Sequence, residues 1–148
     1  MTRDEILERG RRVIDIEREA LQETARRLGD GFVKAVDLIA ECRGRVVVSG
    51  VGKSGHIGRK IAATLTSTGT AAAFMHPVEG LHGDLGIVNR EDVAILISKS
   101  GETEEVVTLL QHLKRFGARL IAITAGADSS LARHSDAVLD AWVREEAC

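Results

Sequence analysis

The sequence predicts an α/β fold: a doubly wound sheet of five parallel strands between two helical layers, preceded by N-terminal helices. Three observations carry this. From Arg45 onward, short apolar runs alternate with helical stretches, the β-α-β-α rhythm of a parallel sheet. The runs are continuously apolar rather than alternating, as strands covered on both faces must be. The chain has 148 residues, 44% hydrophobic and 28% charged. That size fits one domain, able to bury about 70% of its unfolded surface without disulfide staples.

The elements follow in order. Residues 1–43 form an N-terminal helical unit and residues 44–148 the core. Leu7, Ile14, Leu21 and Leu28 recur every seven residues, with Ile6, Val13 and Ala20 widening the stripe. A stripe this narrow packs either on its own domain or on a second copy of the chain. After Gly29-Asp30-Gly31 a second helix follows, with Phe32, Val36, Ile39 and Ala40 on one face. Strands are expected at 46–48, 71–75, 93–97, 120–123 and 137–143, and helices at 55–68, 79–84, 103–116 and 129–134. Gly69 and Gly117 sit where glycines end helices. Ligands of such sheets bind beyond the carboxyl ends of the strands, near the topological switch point. The loops after Val48 and Ile97 are therefore the places to look.

Charge and composition exclude several classes. The formal net charge is −2, and residues 1–43 alone carry nine basic and ten acidic side chains. With no basic stripe to displace counterions, nucleic acid is not an expected partner. No apolar run is long enough to span a bilayer, so no membrane partner is expected. The charged start MTRDEILERG lacks the apolar core of a signal peptide. The two cysteines, Cys42 and Cys148, suit a reducing compartment, and a cytoplasmic location is expected. Aromatic residues are too few for a base-stacking platform.

The first loop reads Ser49-Gly50-Val51-Gly52-Lys53-Ser54-Gly55 and runs into a helix. Its glycines allow close backbone approach, and free amides at a helix N-terminus attract an anion. Gly50-x-Gly52-x-x-Gly55 matches the dinucleotide fingerprint, but Met75-His76-Pro77 stands where that fingerprint needs an acidic residue. A Walker A loop would need glycine at Val47. The loop reads as a phosphate cradle of another kind. The second loop, Ser98-Lys99-Ser100-Gly101-Glu102-Thr103-Glu104-Glu105, offers three hydroxyls at a strand-to-helix junction. Capping alone explains one of them, not three. Glu102 and Glu104 suit the helix dipole, and one of the three carboxylates is a candidate acid or base. His76-Pro77-Val78-Glu79-Gly80-Leu81-His82-Gly83-Asp84 adds two histidines in a glycine-bearing loop. Their spacing matches no zinc motif, which leaves His76 as an adventitious zinc ligand at most.

These segments, with Gly55-His56-Ile57-Gly58, Ser67-Thr68-Gly69-Thr70, His82-Gly83-Asp84-Leu85-Gly86 and Glu145-Glu146-Ala147-Cys148, appear in an order that resembles the sugar isomerase (SIS) domain. Within it, the arabinose 5-phosphate isomerases are the nearest resemblance, from about residue 10 onward. The resemblance implies a flavodoxin-like three-layer sandwich and an aldose–ketose isomerase. Such enzymes interconvert ribulose 5-phosphate and arabinose 5-phosphate through an enediol, supplying a sugar acid of the bacterial outer envelope. It implies Lys53, His82, Glu105 and Glu146 as catalytic residues. Proton transfer falls to Glu105 or His82, oxyanion stabilisation to Lys53 and an orienting role to Glu146. Ser54, Ser98, Ser100 and Thr103 would bind the phosphate, with Gly69, Thr70 and His82 near the sugar. No cofactor is implied, and a homo-oligomer is the default. The family continues past this point with further helices, another histidine and usually a pair of CBS modules. The expectation is thus an isomerase domain lacking its C-terminal part. The competing readings are a non-catalytic sugar-phosphate sensor and, behind it, a nucleotide binder.

Overall fold

A computed structural model describes residues 1–147; Cys148, the end of the Glu145-Glu146-Ala147-Cys148 segment, lies outside them. Two helices, α1 (Arg3–Arg27) and α2 (Asp30–Ala40), lead into β1 (Val46–Gly50). Then come α3 (Gly52–Ser67), β2 (Ala72–Phe74), α4 (Pro77–Leu81), a 3₁₀ turn (Asp84–Ile87), and β3 (Val93–Ile97). The chain continues through α5 (Glu104–Phe116), β4 (Arg119–Thr124), α6 (Ser130–His134) and β5 (Ala137–Asp140). The strands pair in parallel in the order β2-β1-β3-β4-β5, the flavodoxin-like winding, with the switch point between β1 and β3. In register, Val46 faces Val93 and Gly50 faces Ile97, so β1 and β3 end level and their following loops lie side by side.

Both sheet faces are covered, which is why β1 and β3 carry unbroken apolar runs. On one face Val47, Leu96 and Leu120 pack with Val106, Leu109 and Leu113 of α5 and Leu131 of α6. On the other, Val46, Val48, Ile95 and Ile121 pack with Ala35 of α2 and Ala62 of α3.

Several boundaries shift for local reasons. α3 begins at Gly52 rather than residue 55, which puts Lys53 and Ser54 on its first turn. α4 begins at Pro77, where proline is favoured, with the His76 ring capping Val78 N–H at 3.3 Å. β5 stops at Asp140 instead of 143, because the Trp142 N–H folds back onto the Asp140 carboxylate at 2.8 Å.

One expectation about a helix face needs correction. In α2, Phe32 and Val36 are exposed while Ala35 is buried and Leu38 and Ile39, with Cys42 just past the helix, pack on the sheet. The helix approaches β5 so closely at Gly31 that an added Cβ would lie 2.4 Å from the Val138 carbonyl oxygen, leaving no room for an aromatic face. In α1, no residue is buried, and Leu7, Ile14, Leu21 and Leu28 are 43%, 65%, 71% and 54% exposed. The stripe therefore does not pack on its own domain. Polar ties hold α1 instead: Arg27 pairs with Asp140 at 2.9 Å and stacks over Trp142, and Glu23 meets Arg144 at 3.2 Å. Among the described residues no helix is long and apolar enough to cross a membrane.

Candidate active site

The site is built where β1 and β3 end. Ser49, buried at the end of β1, donates to the Met75 carbonyl at 2.6 Å and so ties the ends of β1 and β2 together. Gly55 lets α3 press onto the strand end, since a Cβ there would sit 2.7 Å from the Gly50 carbonyl oxygen. The first turn of α3 presents Lys53, exposed, and Ser54, half-buried. Its N-cap, Val51, supplies no side-chain cap, so the first amides of α3 keep their capacity for an anion.

The 98–103 loop is stiffened from within. Ser98 is 2% exposed; its hydroxyl bonds the Thr103 hydroxyl at 2.7 Å and accepts from Gly101 N–H at 3.0 Å. The Ser100 hydroxyl accepts from Glu102 N–H at 3.2 Å. Gly101 has φ +70°, a conformation glycine enters without strain, and a Cβ there would collide with the Ser129 hydroxyl. Thr103, the N-cap of α5, makes no side-chain capping bond, because its hydroxyl is on Ser98. Two uncapped helix N-termini thus flank the switch point. Ser98 shapes this loop from within, while Ser100 is exposed on it.

The loop after β4 buttresses the arrangement. Thr124 Oγ1 donates to the Lys99 carbonyl at 3.2 Å, and Ala125 N–H donates to the same oxygen at 3.0 Å. Leu131 N–H donates to the Gly101 carbonyl at 3.1 Å. The Glu102 carboxylate accepts from Ser130 N–H at 2.6 Å, capping α6 from outside. That bond, helped by the Ser130 hydroxyl and Arg133, holds the Glu102 carboxyl below the usual range. None of these partners in the β4 loop was singled out in the sequence, although Thr124-Ala125-Gly126 followed by Ser129-Ser130 is a recognisable strand-end loop.

Charged side chains lie on four segments around these loops. Glu105 is half-buried on the first turn of α5. Glu146, from the segment after β5, pairs with Lys99 of the 98–103 loop. The Lys99 ammonium holds the Glu146 carboxyl below its usual range, first by hydrogen bonding, then by charge, with a further contribution from Lys53. Lys53, Lys99 and Glu146 therefore share one electrostatic neighbourhood. His82 is the exposed C-cap of α4, which follows β2 on the same sheet edge.

Not every expected site residue lies there. Gly69 and Thr70 follow the far end of α3, and the neighbouring Ala71 carbonyl accepts from Val46 N–H, the first residue of β1, at 2.8 Å. They occupy the opposite edge of the sheet from Lys53. His76 spends Nδ1 on its capping bond, and no group of three or more His, Cys, Asp or Glu that could hold a metal ion exists among the described residues. A cleft of about 560 Å³ between the α1–α2 turn and the β4–β5 ends, lined by residues such as Phe32, Ile123 and Val138, includes none of these groups.

Comparison with known proteins sets this geometry in context. The family model described as the SIS domain matches residues 38–148. Arabinose 5-phosphate isomerase KdsD of Pseudomonas aeruginosa is 51% identical over 137 residues, covering 93% of this chain and 42% of that protein. A probable arabinose 5-phosphate isomerase of Haemophilus influenzae is 50% identical over 135 residues, covering 91% and 40% respectively. The chain thus spans less than half the length of these curated relatives. A protein of E. coli CFT073, solved in complex with arabinose 5-phosphate, superposes with a TM-score of 0.94 at 40% identity, over 100% of this chain and 79% of that one. A putative sugar-phosphate isomerase of Listeria monocytogenes gives 0.95 at 33% identity, over 100% and 78%.

Proposed function

The chain belongs to the SIS domain family, and from that premise we propose that it is an aldose–ketose isomerase domain interconverting D-ribulose 5-phosphate and D-arabinose 5-phosphate. What supports this is the pair of uncapped helix N-termini that follow the level ends of β1 and β3, with Lys53 on the first turn of α3, Glu105 on the first turn of α5, and Glu146 within the electrostatic influence of Lys53. The similarity to named arabinose 5-phosphate isomerases supports the choice of sugar.

The reaction moves a proton between adjacent carbons through an enediol. A base, Glu105 or His82, takes the proton from the carbon beside the carbonyl and returns it to the neighbouring carbon. The carbonyl oxygen gains negative charge meanwhile, stabilised by the Lys53 ammonium, and takes up a proton as the neighbouring hydroxyl gives its own up to become the new carbonyl. Glu146, ionised and close enough to feel Lys53, orients that ammonium. Ser54, Ser100, Thr103 and the first-turn amides of α3 and α5 hold the phosphate, on a loop whose shape Ser98 maintains. The exposed α1 stripe supports a homo-oligomer joined through that helix.

The test is a phosphorus NMR time course of the purified chain with ribulose 5-phosphate. A growing arabinose 5-phosphate resonance is expected, slowed about 10²–10³-fold in Lys53→Ala, with substrate binding partly retained. Broadening without conversion in the unsubstituted chain would reduce the reading to a binding domain. An unchanged spectrum from a folded sample would refute it.

A further inference from the structure

We propose that Lys99 is a ligand-sensing positioning residue: it holds the Glu146 carboxylate beside the 98–103 loop and gives it up when the phosphate of a sugar ligand claims its ammonium. The inference rests on the sugar-phosphate reading above and adds to it a residue with no role so far in the chemistry.

Lys99 is placed for this by its backbone. It lies between Ser98 and Ser100, and its carbonyl is pinned by Thr124 and Ala125. The main chain therefore stays put while a long, flexible side chain can re-aim. Its partner arrives from far along the chain, on the segment after β5. The two side chains are 69% and 53% exposed, so water screens the pair and the bond is weak. A phosphate monoester dianion offers more charge and three acceptor oxygens, so in the same loop it outcompetes a single screened carboxylate.

The carboxylate that Lys99 releases keeps a cation in reach. Lys53 on α3 already acts on Glu146, whereas its own neighbours face away: Arg144 meets Glu23 and Glu145 meets Arg12, both on α1. Glu146 is thus handed from Lys99 to Lys53, the group assigned to the oxyanion. The consequence is that phosphate binding and the orientation of the Lys53 ammonium are linked through one exposed ion pair.

The test is a calorimetric binding cycle with arabinose 5-phosphate on the full chain and on Glu146→Gln, Lys99→Met and the double variant. Because Glu146 competes with phosphate for Lys99, Glu146→Gln should tighten binding about two- to fivefold, the equilibrium-constant equivalent of an exposed ion pair. The same substitution in the Lys99→Met background should tighten it much less. Lys99→Arg should restore the dependence on Glu146. Equal tightening in both backgrounds would assign the effect to simple charge removal and overturn the handover. Absence of saturable binding by the folded, unsubstituted chain would overturn the sugar-phosphate reading itself, and this inference with it.

Discussion

At the scale of single residues, the site depends on positions whose neighbours are close enough to forbid substitution. Gly101 is the clearest. With φ +70° and the Ser129 hydroxyl where a Cβ would stand, Gly101→Ala must shift the 98–103 loop. The expected cost is about 1–3 kcal/mol, read from urea denaturation, together with weakened arabinose 5-phosphate binding. Glu102 supplies a pH dependence. Its folded-state pKa is depressed by the Ser130 N–H, so its contribution is complete above the ordinary glutamate pKa and vanishes as pH falls through the folded value. The wild type should therefore be more stable than Glu102→Gln at about pH 6, with the difference in thermal melts shrinking as pH falls below the ordinary glutamate range. The motif residues themselves were legible, because a loop's hydroxyls and glycines are written consecutively. Their hydrogen-bond partners were not: Ser98 turns inward to Thr103, and Lys99 finds Glu146 from 47 positions away.

At the scale of elements, α5 couples the core to the chemistry. Its N-terminus carries Glu104 and Glu105, while Val106, Leu109 and Leu113 are almost fully buried against the sheet. Leu109→Ala should cost about 2–5 kcal/mol, seen as a lower denaturation midpoint. The helix itself was readable from periodicity and from Gly117, which ends it at φ +79°. α2 was readable as a helix, but its buried face was not. Phe32 and Val36 are the more apolar choice, yet the close approach of Gly31 to β5 turns Ala35 and Leu38 inward. Hydrophobicity identifies an amphipathic helix; backbone clearance decides which side meets the sheet.

At the scale of the whole molecule, α1 is the element whose apolar surface the domain leaves uncovered. Leu21, 71% exposed, is the most open of the four leucine and isoleucine positions of the stripe. If that stripe joins copies of the chain, Leu21→Arg should convert the oligomer to monomer in sedimentation velocity, with the circular dichroism spectrum unchanged. An unaltered mass would place the contact elsewhere. The sequence by itself determined the doubly wound sheet, its five strands and the two loops at the switch point. Those features follow from local periodicity and from the rule that parallel strands are covered on both faces. Only the tertiary structure decided that Gly69 and Thr70 lie at the opposite sheet edge, and that Glu146 meets Lys99 beside Lys53. The reason is geometric: every crossover helix carries the chain from one sheet edge to the other, so nearness in sequence and nearness in space part company within a single element.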